Sequence, residues 1–382
     1  MTTRKWAAVA GAAAVLSAWF ASPAYAQADP MKCMLPIVSS KERIVACTLV
    51  IDAAKGPKTS LAWAYRNRAH EYLRNRDFDR AIADYSELIQ LYPQDRDAFI
   101  CRGEANRQKR NFDQAIADYG QAIELDPNDG TAYVSRAVAY SQKEDFDRAF
   151  VDYARALELN PRDVRAYLNR GTSYRARGDI DRAMADFDQA IQISPTYKYA
   201  YLRRGNAYVD KGDFNHAIAD YDDGIRLDPK NARAYLMRGL VNLRAGALPR
   251  SLADLDQSLE LDPKDAYTAL WREIVARRDN QPSRLADTTA QLDMTKWPAP
   301  VVRMFLGETA PEAGLAAAQD SDPQVQKSQL CEANFFAGEL ALQRGSKEEA
   351  ARLFGLAATD CPKTFIEWSA AKVELRALGT NP

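Results

Sequence analysis

Small, aromatic and charged positions recur along this chain at one fixed step. Proline stands at 93, 127, 161, 195, 229 and 263, each 34 residues after the last, and closes phrases such as Glu124-Leu125-Asp126-Pro127 and Arg226-Leu227-Asp228-Pro229. A small residue precedes each proline by 24 positions (Ala69, Gly103, Ala137, Gly171, Gly205, Gly239), and another by 12 (Ala81, Ala115, Ala149, Ala183, Ala217, Ser251). Aromatics hold two further slots: Tyr65, Phe99, Tyr133, Tyr167, Tyr201 and Tyr235 in one, and Tyr85, Tyr119, Tyr153, Phe187 and Tyr221 in the other. The pattern predicts two helices per period. Their small residues face one another so that the backbones approach, and the aromatics fill the gap beside them. Asp77, Asn111, Asp145, Asp179 and Asp213 stand where they can satisfy the free amides of the second helix. The closing proline stops that helix. One hairpin cannot bury its own apolar stripe, so hairpins stack into a solenoid.

These slots, in six in-register copies over residues 62–263, resemble the tetratricopeptide repeat (TPR) family. The resemblance implies an all-α, right-handed superhelix of about seven helix-turn-helix repeats with a divergent C-terminal helical segment. It also implies that the first helices line a concave face. The family's face positions fall here on Trp63, Arg66 and His70, then Ile100, Glu104, Val134, Val138, Arg165 and Leu168. They continue through Tyr199, Leu202, Asn206, Arg233, Leu236 and Leu240. This face is apolar along its middle and flecked with arginine, which points to a protein or peptide ligand. The alternative is that it packs against the C-terminal segment folding back. Chaperone-binding members clamp a C-terminal carboxylate with Lys and Asn in adjacent slots. Those slots here hold mainly Leu, Val and Ile, with Asn206 and no Lys, so a receptor of that type is not expected.

Two charged slots repeat as well. Arg68, Arg102, Arg136, Arg170, Arg204 and Arg238 are each followed sixteen residues later by Asp84, Asp118, Asp152, Asp186, Asp220 or Asp254. A matched acid in every repeat predicts a ladder of Arg–Asp pairs between helices rather than an anion-binding row.

The two ends differ from the middle. Residues 1–26 read as a signal peptide: Arg4 and Lys5, an apolar run from Trp6 to Phe20, and the cleavage site Ala24-Tyr25-Ala26 before Gln27. The apolar run is short for a membrane span, and no cysteine follows it closely enough for lipidation. A periplasmic or secreted chain without a stable membrane anchor is expected. Residues 27–61 read as an arm and a capping helix over 40–53. After Pro263 the register fails, and residues 264–330 read as an irregular helical segment with a helix at 266–278. Gly338, Ala350, Phe354, Ala357 and Pro362 restore it in a last repeat at 331–364. A final helix from Phe365 to Leu378 completes the region 331–382. Cys331 and Cys361 mark the two ends of that antiparallel hairpin, which predicts a disulfide. Cys33 and Cys47 can pin the arm to the first helix, leaving Cys101 as a small buried apolar residue.

The tail carries a second resemblance. Trp297 through Val301, Phe305-Leu306-Gly307, Glu332 through Gly338, Phe365-Ile366-Glu367 and Ala371 through Leu375 are similar to the C-terminal half of NlpI-like proteins. Those are periplasmic TPR adaptors that dimerise and scaffold a processing protease and cell-wall hydrolases. The likeness implies a homodimer through the C-terminal region and recruitment of such an enzyme. This chain departs from them in lacking the lipid-attachment cysteine and in having more regular repeats.

Composition then narrows the chemistry. The 382 residues carry 51 basic and 52 acidic side chains, a net charge of −1. Without Arg4 and Lys5 the balance is 49 against 52, or −3. No basic stripe is left for nucleic acid. Two histidines, His70 and His216, and no Cys-x-x-Cys predict no metal site. No phosphate loop or Ser-His-Asp set is present, so no catalytic residues and no cofactor are expected. Asp222-Asp223 reads as a solvated helix face. The sequence thus predicts a non-enzymatic periplasmic interaction scaffold, with a homodimeric structural or assembly protein of the cell envelope as the alternative.

Overall fold

The structure is a computed structural model that describes residues 29–35, 38–54, 57–362 and 365–380. The predicted signal peptide at 1–26 and its cleavage after Ala26 lie outside these residues. The described residues are helical, with no strand among them. The chain divides into two compact units, up to Ser173 and from Tyr174 onward.

The first unit opens with α1 (Pro30–Met34) and α2 (Ser40–Ala53). A reciprocal capping box between Ser39 and Glu42 starts α2. The Cys33–Cys47 disulfide ties the two helices, with Cα atoms 4.8 Å apart. Three helix pairs follow: α3 (Ala62–Arg74) with α4 (Phe78–Leu91), α5 (Arg96–Gln108) with α6 (Phe112–Leu125), and α7 (Gly130–Gln142) with α8 (Phe146–Leu159). The unit ends within α9 (Val164–Arg177).

Each turn inside a pair is built the same way. One residue takes the left-handed conformation: Arg76, Arg110 and Glu144 in the first three pairs, Gly178, Gly212 and Gly246 in the later ones. The next amide reaches back five residues, Asp77 N to Tyr72 O at 2.8 Å and Asp145 N to Tyr140 O at 2.9 Å. This closes the first helix in a Schellman turn. Where an aspartate follows it caps the second helix, Asp77 accepting from Arg80 N and Asp145 from Arg148 N, whereas Asn111, expected to cap α6, makes no side-chain bond to that helix's free amides.

The small residues of the two helices pack together as the sequence suggested, Ala69 with Ala81 and Ala137 with Ala149 in shared clusters and Gly239 against the Ser251 backbone, and where the first of them is glycine beside a tyrosine it has a second use. It makes room for the aromatic ring. A Cβ on Gly103 would lie 2.8 Å from the Tyr119 ring, and one on Gly205 would lie 2.9 Å from that of Tyr221. These tyrosines are completely buried.

The Arg–Asp ladder is present. Arg68 grips Asp84 at 2.7 and 2.8 Å, Arg102 grips Asp118 at 2.6 Å, and Arg136 grips Asp152 at 2.7 and 2.8 Å. In the second unit Arg204 grips Asp220 at 2.7 and 2.9 Å, and Arg238 grips Asp254 at 2.5 Å. The carboxylates are buried and each guanidinium lies over the ring three residues earlier, as Arg136 does over Tyr133 at 5.7 Å. The remaining nitrogen reaches the preceding second helix: Arg102 to Ser86, Arg204 to Asp188, Arg238 to Asp222. Asp222 and Asp223 are therefore ion-paired, with Arg238 and Arg226, rather than simply solvated.

The second unit continues through α10 (Ile180–Ile193), α11 (Lys198–Lys211) with α12 (Phe214–Leu227), and α13 (Ala232–Arg244) with α14 (Leu248–Leu261). Then comes α15 (Ala266–Arg278), which is buried from Thr268 to Ala276. The charges it buries are paired, Arg272 with Asp256 and Glu273 with Arg277. The segment read as irregular supplies α15 and α17 (Ala299–Leu306), with short α16 (Leu285–Thr288) and α18 (Pro311–Ala316) between and after them. Trp271, Phe305, Phe335, Phe336 and Phe354 pack there with ring centroids 5.2–6.1 Å apart. The last pair is α19 (Pro323–Gln343) with α20 (Lys347–Asp360), followed by α21 (Ile366–Ala377). Helix α19 starts at Pro323, not near Cys331, because Asp322 caps it there. Cys331 and Cys361 are bonded, with Cα atoms 5.0 Å apart. No described helix is long and apolar enough to cross a membrane.

Closing a 30-residue loop makes the second bridge a stability element. Replacing both Cys331 and Cys361 by serine is expected to lower the unfolding free energy by about 3 kcal/mol, measured by urea titration with far-ultraviolet circular dichroism. An unchanged midpoint would show that the bridge adds nothing.

Candidate functional site

In the first unit a cavity of about 220 Å³ is lined by Arg66, His70, Tyr85, Leu88, Asp97, Ala98, Ile100 and Cys101. The Arg66 guanidinium pairs with Asp95. His70 Nε2 lies 3.9 Å from Cys101 Sγ. Burial, helped by Arg66, pushes the imidazole below its usual range, and burial pushes the Cys101 thiol up. Both groups are uncharged at neutral pH. Cys101 is half-buried on this face rather than enclosed in the core.

The other predicted face residues divide into exposed and packed. Trp63 packs on the cluster around Cys33 and Cys47, so it belongs to the N-terminal cap. Ile100 is half-buried, packed on Tyr119 and Phe99. Glu104 accepts from Arg107 at 2.6 and 3.0 Å and from the Tyr119 hydroxyl at 3.2 Å. Val138 is half-buried. Val134 and Leu168 are buried, at 7% and 3% exposure. Arg165 is exposed.

In the second unit Tyr199 is 47% exposed and stands edge-on to Tyr197 at 5.5 Å. Leu202 turns towards α12, where a Cβ on Gly224 would come within 2.5 Å of it. Asn206 accepts from the Tyr221 hydroxyl at 2.7 Å. Arg233 is exposed, whereas Leu236 and Leu240 are buried in the C-terminal core. Val134, Leu168, Leu236 and Leu240 are thus packing residues, not an open apolar groove. Their slots turn between neighbouring helices, and aliphatic side chains there satisfy the stack first. The residues left towards solvent are the polar and aromatic ones.

Helix α21 covers part of this face. Phe365, Ile366, Trp368 and Ser369 close a cavity of about 140 Å³ with Arg175, Asn206, Asp210, Arg233, Met237 and Arg244. Arg175 holds Asp210 at 2.5 and 3.2 Å. Arg244 donates to Ser369 Oγ at 2.5 Å, and burial pulls its guanidinium down from the usual arginine range. Sequence reasoning missed Arg244. It falls outside the repeating face slots, and its partner lies 125 residues further along the chain.

Acidic groups dock α21. Arg278 Nη2 bridges Glu339 at 2.7 Å and Glu374 at 2.9 Å. Glu332 accepts from the Tyr267 hydroxyl at 2.7 Å and Trp297 Nε1 at 2.6 Å. Burial lifts Glu332 and Glu339 above the usual carboxylate range and Glu367 to about 7. A folded-state pKa above the unfolded one gives stability that is complete below the unfolded value of 4.5 and is lost as pH rises through about 7. The thermal midpoint is therefore expected to fall by about 5 °C between pH 5 and pH 8, and Glu367→Gln is expected to shrink that fall. Scanning calorimetry at the two pH values checks this, and an equal or higher midpoint at pH 8 contradicts it.

Comparisons with known proteins agree with this architecture. Models described as tetratricopeptide repeat match residues 66–130 and 102–154, and 153–185. One described as TPR repeat matches 171–212 and 205–246. A tetratricopeptide repeat protein from Parabacteroides merdae is 18% identical, with a TM-score of 0.53, covering 62% of this chain and 92% of its own. PilF of Pseudomonas aeruginosa is 19% identical, covering 56% and 97%, with a TM-score of 0.47. MamA is 24% identical, covering 46% and 95%, with a TM-score of 0.38. Such identities speak to the fold alone. No curated protein matches the chain.

Proposed function

Residues 66–246 are tetratricopeptide repeats, and we propose that the protein built on them is a non-enzymatic scaffold of the periplasm or cell envelope that binds a peptide or partner protein on its first-helix face. The observation that carries this reading is the exposure of His70 on α3, Arg165 on α9, Tyr199 on α11 and Arg233 on α13, with Arg66 half-buried beside His70. Surfaces rich in Arg and Tyr are those on which partners find their anchors. The two disulfides support an oxidising compartment. The likeness of the tail to NlpI-like adaptors supports recruitment of an envelope protease or cell-wall hydrolase as the use of that face.

Arg165 and Tyr199 point to solvent, so changing them spares the fold. The mature wild type and an Arg165→Glu, Tyr199→Glu variant serve as baits in envelope extract. The variant is expected to recover the wild-type partners at least about fivefold less, with an unchanged melting curve. Equal recovery by both baits would place binding elsewhere.

A further inference from the structure

Buried arginines in the repeats are matched by acids, as Arg136 is by Asp152 and Arg238 by Asp254. Arg244 breaks this rule. It is half-buried at the end of α13, donates to the Ser369 hydroxyl, and makes no ion pair with any described residue. Arg233 lines the same cavity eleven residues earlier on the same helix face, and it too makes no ion pair with a described residue. Asp210 reaches the cavity but is held by Arg175. Asn206 uses its carbonyl oxygen on Tyr221, so its amide N–H groups remain to donate. The opposite wall is apolar, formed by Ile366 and Trp368 of α21.

Three guanidinium groups thus line this space against a single carboxylate, Asp210, which Arg175 already holds, so Arg233, Arg244 and the Asn206 amide are left facing an aromatic wall with positive charge in excess. A partly buried charge without a partner is costly, and the planar guanidinium fork fits a carboxylate best. We propose that this cavity binds a carboxylate carried on an apolar body, and that Arg233 and Arg244 anchor a partner peptide through it. The peptide part rests on the scaffold reading above. The carboxylate belongs either to an acidic side chain beside an apolar one or to a chain end. The arginines doing this are not in the slots used by the chaperone-type clamp, which this chain lacks. Helix α21 completes the site, so the face is assembled from first helices α9, α11 and α13 and the C-terminal helix together.

The test uses the full mature chain and a simple probe. Binding of 3-phenylpropionate is compared with that of its neutral amide, 3-phenylpropionamide, by calorimetry and by the Trp368 indole resonance. The carboxylate is expected to bind with a Kd of about 1 mM and the amide at least about tenfold more weakly. Arg244→Gln and Arg233→Gln are each expected to weaken the carboxylate about tenfold. Arg233 is exposed and makes no ion pair with a described residue, so its variant keeps the result readable if Arg244→Gln loosens α21. Equal binding of acid and amide, no binding of the acid, or wild-type affinity in both variants would overturn the proposal. Two peptides then separate the sources, one with blocked ends and an internal Glu-Leu and one ending in a free leucine carboxylate. Tighter binding of either supports the peptide anchor and names its source. Binding of 3-phenylpropionate with neither peptide overturns the anchor. Loss of partner capture with carboxylate binding intact strikes the scaffold reading alone.

Discussion

The buried Arg–Asp pair is the interaction on which each repeat depends. Taking both charges out of water is expensive, and only close geometry with further hydrogen bonds repays it. Here the geometry is close. Arg136 meets both oxygens of Asp152 and lies over Tyr133, and Arg204 and Arg238 add a second carboxylate from the preceding repeat. One side chain thus fixes the pairing of its own two helices and the offset from the helix before. The near-zero net charge arises partly from this repetition of one Arg and one Asp in each of six repeats.

Much of this was legible because it repeats. A 34-residue step reveals slots, and slots reveal which residues share a role. The capping aspartates, the closing prolines, the Arg–Asp spacing of sixteen and the Cys331–Cys361 disulfide could be read this way. The second use of the glycines could not. Gly103 and Ala115 share a period with Tyr119, and only packing shows that the ring fills the space the glycine leaves. The start of α19 at Pro323 was missed for a different reason. Its first turns carry no repeat register, and Asp322 alone decides where it begins.

The binding face shows where slot reasoning stops. A family position gives a residue's place on a helix but not what lies across from it. Leu236 and Leu240 fall on face positions, yet the C-terminal helices bury them. Arg244 is off those positions, yet α21 brings Ser369 and Trp368 to it. Both outcomes depend on contacts between segments more than a hundred residues apart, which no local pattern encodes. Burial of Glu332 and Glu339 on α19 and of Glu367 on α21 is a further non-local result. It makes the covering of the face sensitive to pH.

A double-mutant cycle at Arg136 and Asp152 tests the role of the ladder most directly. Unfolding free energies are measured in urea for Arg136→Leu, Asp152→Leu and the double variant. Each single change leaves a buried charge unpaired and is expected to cost about 3 kcal/mol or more. The double variant is expected to lie well above the sum of the two, with a coupling of at least about 2 kcal/mol. Additive losses would mean that the pair does not organise the repeat.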